Sequence, residues 1–208
     1  MHAVIFEKFN TLLSEREWSG PVLEVGAVPT EKTLLNLPVL RNVAARTGIN
    51  LEGPFTFKDF EILKSDANNM DRFPDNHFGL VLCNAMLEHD KFFWKSVEEV
   101  RRVTRPGGLI VIGTPGFADN SFQKFKKGFE KQSWYKAIKS SKAFGFLLSS
   151  TLTLEVHGEA YGDFYRFSPA FFREVIFRDF HSVEIIRIMR PPRIIGLGCK
   201  PGPDPRSR

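Results

Sequence analysis

The stretch Phe73–Pro115, FPDNHFGLVLCNAMLEHDKFFWKSVEEVRRVTRPGGLIVIGTP, decides the fold. Phe78 to Cys83 is a short apolar run after a Pro-Asp-Asn turn, as in a strand that is buried on both faces. Phe92 to Thr104 repeats valine at helical spacing and leaves its charged residues for solvent. Arg105-Pro106-Gly107-Gly108 ends that helix, and Leu109 to Ile112 is a second apolar strand. The stretch therefore predicts one βαβ unit with parallel strands.

The same alternation extends to both sides of this unit. The predicted elements are, in chain order, a helix over 4–16, strands at Val22–Gly26, Gly48–Gly53 and Phe60–Lys64, a helix from Ser168 and Pro169 to about Phe177, and strands at Val183–Ile188 and Arg193–Cys199. Residues 31–45 have helical content, but Pro38 argues against one straight helix. The pattern predicts an α/β fold, doubly wound and Rossmann-like. Its seven-stranded, mostly parallel sheet ends in a C-terminal antiparallel hairpin and has helices on both faces.

Length and composition set the class of protein. A chain of 208 residues suits one domain, which we place at residues 1–200, with a disordered tail at 201–208. No apolar run reaches the roughly 20 residues of a membrane span, and the N-terminal segment lacks the plan of a signal peptide. Cys83 and Cys199 fall in predicted strands as buried thiols, so we expect a reducing, cytoplasmic location.

The net charge of +5 would suit an anionic partner such as nucleic acid. The excess is modest and lies partly in one segment and the tail, so a soluble surface with a few extra lysines is favoured. Residues 118–150 are rich in lysine and phenylalanine. We predict that they form a lid or insertion over the acceptor, and the alternative is a contact with a partner or a membrane surface. The oligomeric state, including a homodimer, stays open.

Four motifs at predicted strand ends resemble the class I S-adenosylmethionine-dependent methyltransferases, in particular the group with a VLEVG…LEH…RPGG signature. They are VLEVG at 22–26, SDANNM at 65–70, FPDNHFGLVLCNAMLEH at 73–89 and RRVTRPGGLIVIGTPG at 101–116. The resemblance covers residues 22–116 and implies S-adenosyl-L-methionine as cofactor. It implies in-line methyl transfer to a small-molecule or glycan-like acceptor.

The resemblance also implies a set of cofactor contacts at the carboxyl ends of the strands. They are Glu24, Gly26 and Ala27 under the methionine part, Asn50 and Glu52 at the ribose, Asp66 and Ala67 beside the adenine, and Asn84 and Ala85 beside the sulfonium. The family has an acid where Asn50 stands, so either Glu52 substitutes or the ribose is held more weakly. The first loop keeps Gly26 but has Val28 and Thr30 where the family has further glycines. A non-catalytic binding protein of the same fold is therefore the alternative.

Candidate acceptor-side residues lie after the LEH motif. If the acceptor atom is oxygen, His157 is the candidate base, with His89 as a second catalytic candidate and Asp163, Tyr165 and Arg166 as substrate contacts. His89 could instead be a structural hydrogen-bonding residue, and the loop around His157 a cap before the Ser168 helix. We assign no metal ligand. A nicotinamide-dependent oxidoreductase is a third class, and the lack of G-x-G-x-x-G speaks against it.

Overall fold

One eight-stranded sheet organises the part of the chain that the computed structural model describes, which is residues 1–116, 132–140, 162–189 and 192–202. The strands are β1 Val22–Val25, β2 Arg46–Asn50, β3 Phe55–Phe57, β4 Phe60–Lys64, β5 Phe78–Asn84, β6 Thr104–Pro115, β7 His181–Met189 and β8 Pro192–Cys199. Their order is β3-β4-β2-β1-β5-β6-β8-β7. The five strands from β4 to β6 in that order are parallel, and β8 and β7 form an antiparallel pair at one edge. The predicted Rossmann-like class and its C-terminal hairpin are confirmed.

Helices α1 Ala3–Ser14, α2 Phe93–Val103, α3 Ser133–Ser140 and α4 Pro169–Phe171 accompany the sheet. Helix α4 continues as a π-helical turn, Phe172–Ile176, and the Ser168 hydroxyl caps it by accepting from Phe171 N at 3.1 Å. The connection between β1 and β2 contains two 3₁₀ turns, Leu34–Asn36 and Pro38–Leu40, instead of an α-helix. Pro38 starts the second turn, which agrees with the predicted interruption.

Side chains from alternate strand positions fill two cores on opposite faces of the sheet. On one face Val81, Cys83 and Ile110 pack with α2 and α4, and on the other Leu82 and Val111 pack with α1 and the 3₁₀ turns. Strands β5 and β6 are buried on both faces, as their continuous apolar sequences predict.

The prediction of seven strands was wrong by one. Phe55–Phe57 pairs antiparallel with Phe60–Lys64 and adds a short edge strand. The turn between the two strands, Lys58-Asp59, has Lys58 at φ 55° and lacks the glycine or asparagine that announces a tight hairpin. The second strand begins earlier than predicted, at Arg46, because Arg46 already pairs with Val22, and the predicted range Gly48–Gly53 included the exit loop that follows Asn50.

Several predictions fall partly or wholly outside the described residues. Helix α3 lies inside the predicted lid over 118–150, and the remainder of that segment is outside the description, as are His157 and residues 203–208 of the predicted tail. Within the described ranges, no helix combines the length and apolarity that a bilayer crossing requires.

Candidate functional site

The order of connections reverses at β1. From β1 the chain goes to β2 and β4 on one side and then returns to β5 on the other. In open α/β sheets a ligand binds beyond the carboxyl ends of the strands at such a reversal. A ligand site is therefore expected where β1 and β5 end.

The exits of β1 and β5 meet there in unusual backbone conformations. Gly26 follows β1 at φ 81° and Ala85 follows β5 at φ 54°. Ala85 N donates to Gly113 O at 2.9 Å, and a Cβ at Gly26 would lie 2.9 Å from Met86 Cβ. A positive φ at alanine costs about 1–3 kcal/mol, and such strain persists where function requires it. The exit of β1 thus lies against Met86, the residue that follows Ala85 at the exit of β5.

The side chain of Glu24, which was predicted to contact the cofactor, points into the protein interior. Its side chain is buried and accepts hydrogen bonds from the Thr33 hydroxyl and from Leu35 N, the latter at 3.1 Å. Burial raises the pKa of the Glu24 carboxyl, and the hydrogen bond from Thr33 opposes that rise. Glu24 therefore fixes the connection after β1 instead of presenting its charge at the surface.

Asn50 ends β2 and is also bonded to its neighbours. Its Nδ2 donates to Ala27 O at 2.7 Å, and its Oδ1 accepts from Glu52 N at 3.0 Å. Glu52 is exposed, and Val28 keeps 42% of its surface exposed, so neither side chain is buried in the crevice. The amide at the predicted ribose position thus shapes the loop after β1.

The predicted adenine loop follows β4. Asp66 is exposed and its Oδ1 accepts from Asn68 N at 2.8 Å, which is the geometry of an Asx turn. Ala67 is partly buried against the core on the α2 face. Asp66 therefore caps the turn that follows it, and its carboxylate is also accessible from solvent.

The segment at 162–166 packs directly on the turn Leu87–His89 that follows β5. Phe164 N donates to Glu88 O at 2.8 Å, and His89 Nδ1 is hydrogen-bonded to Gly162 O. Tyr165 OH donates to Lys91 O at 3.0 Å. The structure thus brings together the predicted substrate residues and His89, although they lie far apart in sequence.

Asp163 and Arg166 form a two-pronged ion pair. The Arg166 guanidinium donates to the Asp163 carboxylate, and this hydrogen bond raises the pKa of Arg166. Their charges thus compensate each other, and Tyr165 is bonded to the main chain. Their assignment as substrate contacts stays a prediction.

Sequence reasoning missed Glu88, which lies between these groups. Glu88 is 1% exposed, and its Oε1 lies 3.9 Å from His89 Nε2. Burial raises the pKa of the Glu88 carboxyl, with opposing effects from its own backbone N–H and from the charges of His89, Arg193 and Arg166. The sequence does place an acid next to a histidine at a strand exit, but these residues were interpreted only as part of the Leu-Glu-His motif.

A second cleft, of about 620 Å³, lies at the opposite edge of the sheet. Trp18, Arg105 and Gly107 are among the residues that line it. These residues precede β1 or belong to the start of β6, so this cleft is remote from the strand exits. It holds none of the residues predicted to act in the site.

Comparison with protein families gives one match. Residues 36–112 match the family described as "Methyltransferase domain", a segment that runs from the first 3₁₀ turn to the middle of β6. No curated protein matches the sequence. The matched segment contains the Leu-Glu-His turn and the Arg-Pro-Gly-Gly motif that carried the predicted resemblance.

Solved structures share the fold over nearly the whole chain. A Burkholderia thailandensis 1,6-didemethyltoxoflavin-N1-methyltransferase, with 1,6-didemethyltoxoflavin and S-adenosylhomocysteine bound, aligns at TM-score 0.60 and 14% identity over 95% of this chain and 77% of its own. Haemonchus contortus phosphoethanolamine N-methyltransferase 2, with S-adenosyl-L-methionine, gives 0.53 and 12% over 93% and 52%. The Bacillus subtilis YcgJ protein gives 0.51 and 14% over 97% and 100%. At these identities the likeness is one of fold.

Proposed function

We propose, from the premise that this chain carries the class I S-adenosylmethionine-dependent methyltransferase fold, that it transfers a methyl group from S-adenosyl-L-methionine to a small-molecule or glycan-like acceptor. The observation that carries the proposal is the pair of strand exits at the reversal between β1 and β5, where Gly26 and Ala85 both have positive φ. A glycine at such an exit lets backbone approach a ligand closely, and this is the place where this fold binds its cofactor.

The cofactor is proposed to lie across the ends of β1, β2 and β4. Backbone groups after β1 would hold the methionine part, since Glu24 is occupied by Thr33 and Leu35. The exposed Glu52 would take the ribose hydroxyls in place of Asn50, whose amide is bonded to Ala27. Catalysis then consists mainly of aligning the acceptor atom, the methyl carbon and the sulfur.

The acceptor is proposed to approach from the side of β5 and β6. His89 is the described candidate for a base, because it stands on the turn after β5 and faces the segment that carries Tyr165 and Arg166. His157 remains a second candidate from the sequence. The proposed lid over 118–150 would close on the same side.

Calorimetry tests the cofactor directly. The chain should bind S-adenosylmethionine and S-adenosylhomocysteine and should not bind NAD. Methyl transfer is then followed with cofactor labelled in its methyl group. Binding of NAD without binding of either sulfur nucleoside would overturn the proposal in favour of an oxidoreductase.

A non-catalytic protein of the same fold is the second candidate. The internal bonding of Glu24 and Asn50 favours it, because the two predicted polar contacts to the cofactor are already satisfied. Such a protein would show neither S-adenosylhomocysteine binding nor methyl transfer while remaining fully folded, which separates it from the enzyme.

A further inference from the structure

Glu88 is a buried carboxylate that the described protein leaves unsatisfied. Its side chain is 1% exposed, and neither oxygen has a hydrogen-bond partner among the described residues. The other buried glutamate, Glu24, receives two hydrogen bonds. Buried polar groups are bonded in the great majority of cases, and a buried charge without a partner is costly. We therefore expect a bound ligand to donate hydrogen bonds to the Glu88 carboxylate.

The neighbouring His89 faces Glu88 with a second acceptor. Its Nδ1 is bonded to Gly162 O, and since a carbonyl oxygen accepts, Nδ1 carries the proton. In the neutral ring Nε2 then has a free lone pair, 3.9 Å from Glu88 Oε1. That separation is too long for a hydrogen bond, and a donor atom placed about 2.8 Å from both atoms would bridge them.

The surroundings hold this pair of acceptors in place. Phe164 N and Tyr165 N both donate to Glu88 O, at 2.8 and 3.3 Å, so the turn cannot easily rotate Glu88 towards solvent. Two more buried oxygens at the ends of β5 and β6, Asn84 Oδ1 and Thr114 Oγ1, also have no partner among the described residues. The unsatisfied atoms at these strand ends are mainly acceptors, with one carboxylate among them.

We propose that Glu88 and His89 bind the ammonium group of the methyl acceptor, so that the acceptor is a primary or secondary amine. This inference rests on the proposed function and names its substrate class. Arg166 and Arg193 act on the Glu88 carboxylate through their charge, but no side chain of the described residues is hydrogen-bonded to it. An ammonium brings N–H donors together with a positive charge to the carboxylate, whereas a neutral hydroxyl brings one donor and no charge.

The same arrangement prepares the amine for reaction. One ammonium proton passes to His89 Nε2, and the imidazolium formed is stabilised by Glu88. The freed lone pair of the nitrogen then attacks the methyl carbon while the methyl–sulfur bond breaks and its electron pair stays on sulfur. The products are the N-methylated ammonium and S-adenosylhomocysteine, and the proton on His89 returns to solvent.

Matched amine and alcohol probes test the assignment. Binding of ethylamine, benzylamine, ethanol and benzyl alcohol is measured by ligand-observed NMR, with and without S-adenosylhomocysteine. At least one amine should bind about tenfold or more tighter than its alcohol, and Glu88→Gln should remove that preference. Glu98→Gln, on the exposed side of α2, is the matched control and should keep the preference. Equal binding of amine and alcohol, or a preference that survives Glu88→Gln, would overturn the proposal.

The cofactor also carries an ammonium group, so binding of that group at Glu88 has to be distinguished from binding of the acceptor amine. The affinity of the protein for S-adenosylhomocysteine distinguishes the two. Glu88→Gln should leave the affinity for S-adenosylhomocysteine within about twofold of the original. If that affinity falls about tenfold while methylthioadenosine, which lacks the amino acid part, still binds equally, Glu88 holds the cofactor and the acceptor assignment is wrong. If the original protein binds no S-adenosylhomocysteine, the proposed function fails, and the probe preference measured without nucleoside still decides the ammonium site.

Discussion

The loops at the carboxyl ends of β1 and β2 (the β1–β2 rim) and those at the carboxyl ends of β5 and β6 (the β5–β6 rim) differ in the bonding of their polar groups. In the β1–β2 rim, Glu24 and Asn50 are bonded to neighbouring protein groups. In the β5–β6 rim, atoms of Asn84, Glu88 and Thr114 have no partner within the described part of the chain. The first half is complete without a ligand and offers it mainly backbone. The second half carries a free-energy cost that a ligand can remove.

We therefore expect the β1–β2 rim to contribute mainly to stability and the β5–β6 rim mainly to ligand binding. Changes in the β1–β2 rim should unfold the protein before they reveal a specific ligand contact. Changes in the β5–β6 rim should alter ligand binding and can even increase stability. The following four variants test that division.

The largest effect is expected at the exit of β1, where Gly26 has φ 81°. Gly26→Ala combines backbone strain with a contact 2.9 Å from Met86 Cβ, and we expect a loss of about 2–4 kcal/mol in unfolding free energy. Gly107→Ala is the matched control, because Gly107 has φ 72° but no atom within 4 Å of the added Cβ. Urea unfolding measures both, and equal losses would show that the packing of Gly26 on Met86 is unimportant.

The hydrogen bond to Glu24 should give the next largest effect. Thr33→Val keeps the volume but removes the hydroxyl that donates to the buried carboxylate, at a cost of about 1–3 kcal/mol. Since this bond opposes the rise in the pKa of Glu24, the loss of stability should increase with pH as the carboxyl ionises. Thr30→Val, at an exposed position in the same connection, should change little. A loss of equal size at both positions would refute a specific role for the hydrogen bond.

Local sequence signals predicted the β5–β6 part of the fold closely. Apolar runs placed β5 and β6 and the valine spacing placed α2, because each signal lies within the element it specifies. The predicted turn at residues 105–108 was wrong, since these residues belong to β6, which begins at Thr104. The same reasoning missed β3, whose turn at Lys58-Asp59 has no typical hairpin residue. The positions at the strand ends were predicted, and their bonding was not.

Long-range contacts explain what the sequence could not predict in the site. The main-chain oxygen of Glu88 accepts hydrogen bonds from Phe164 and Tyr165, which lie in a distant segment of the sequence. Likewise, the engagement of Asn50 depends on the path of the loop at Ala27. Motif spacing identifies which residues reach the rim, but the choice between a satisfied and an unsatisfied polar group is made by tertiary packing.

A gain in stability is expected from Glu88→Gln. The amide removes a buried charge that no side chain of the described residues hydrogen-bonds, and we expect the unfolding free energy to rise by about 1–2 kcal/mol at neutral pH. Because burial raises the pKa of the folded Glu88 carboxyl, the original protein loses stability as pH rises from the ordinary carboxyl range through that raised value. Glu88→Gln should lack this loss, so the two proteins should be similar in acid and diverge towards neutral pH.

Thermal unfolding across that pH range measures the divergence, with Glu98→Gln as the control for a change in net charge. If Glu88→Gln were destabilising at neutral pH, Glu88 would be a satisfied structural acid. The contrast between the two halves of the rim would then disappear.

The smallest effect is expected at the end of β2, where the family resemblance places an acid and this chain has Asn50. An aspartate there would set a carboxylate against Ala27 O, in place of the Nδ2 donor at 2.7 Å, and would still accept from Glu52 N. Asn50→Asp should therefore lower the unfolding free energy by about 1 kcal/mol and should not tighten S-adenosylhomocysteine binding. Asn50→Ala, which removes both hydrogen bonds without adding charge, separates the repulsion from the lost bonds. A clear rise in nucleoside affinity for Asn50→Asp would mean that this position faces the ribose after all, and that the β1–β2 rim also recognises its ligand through a side chain.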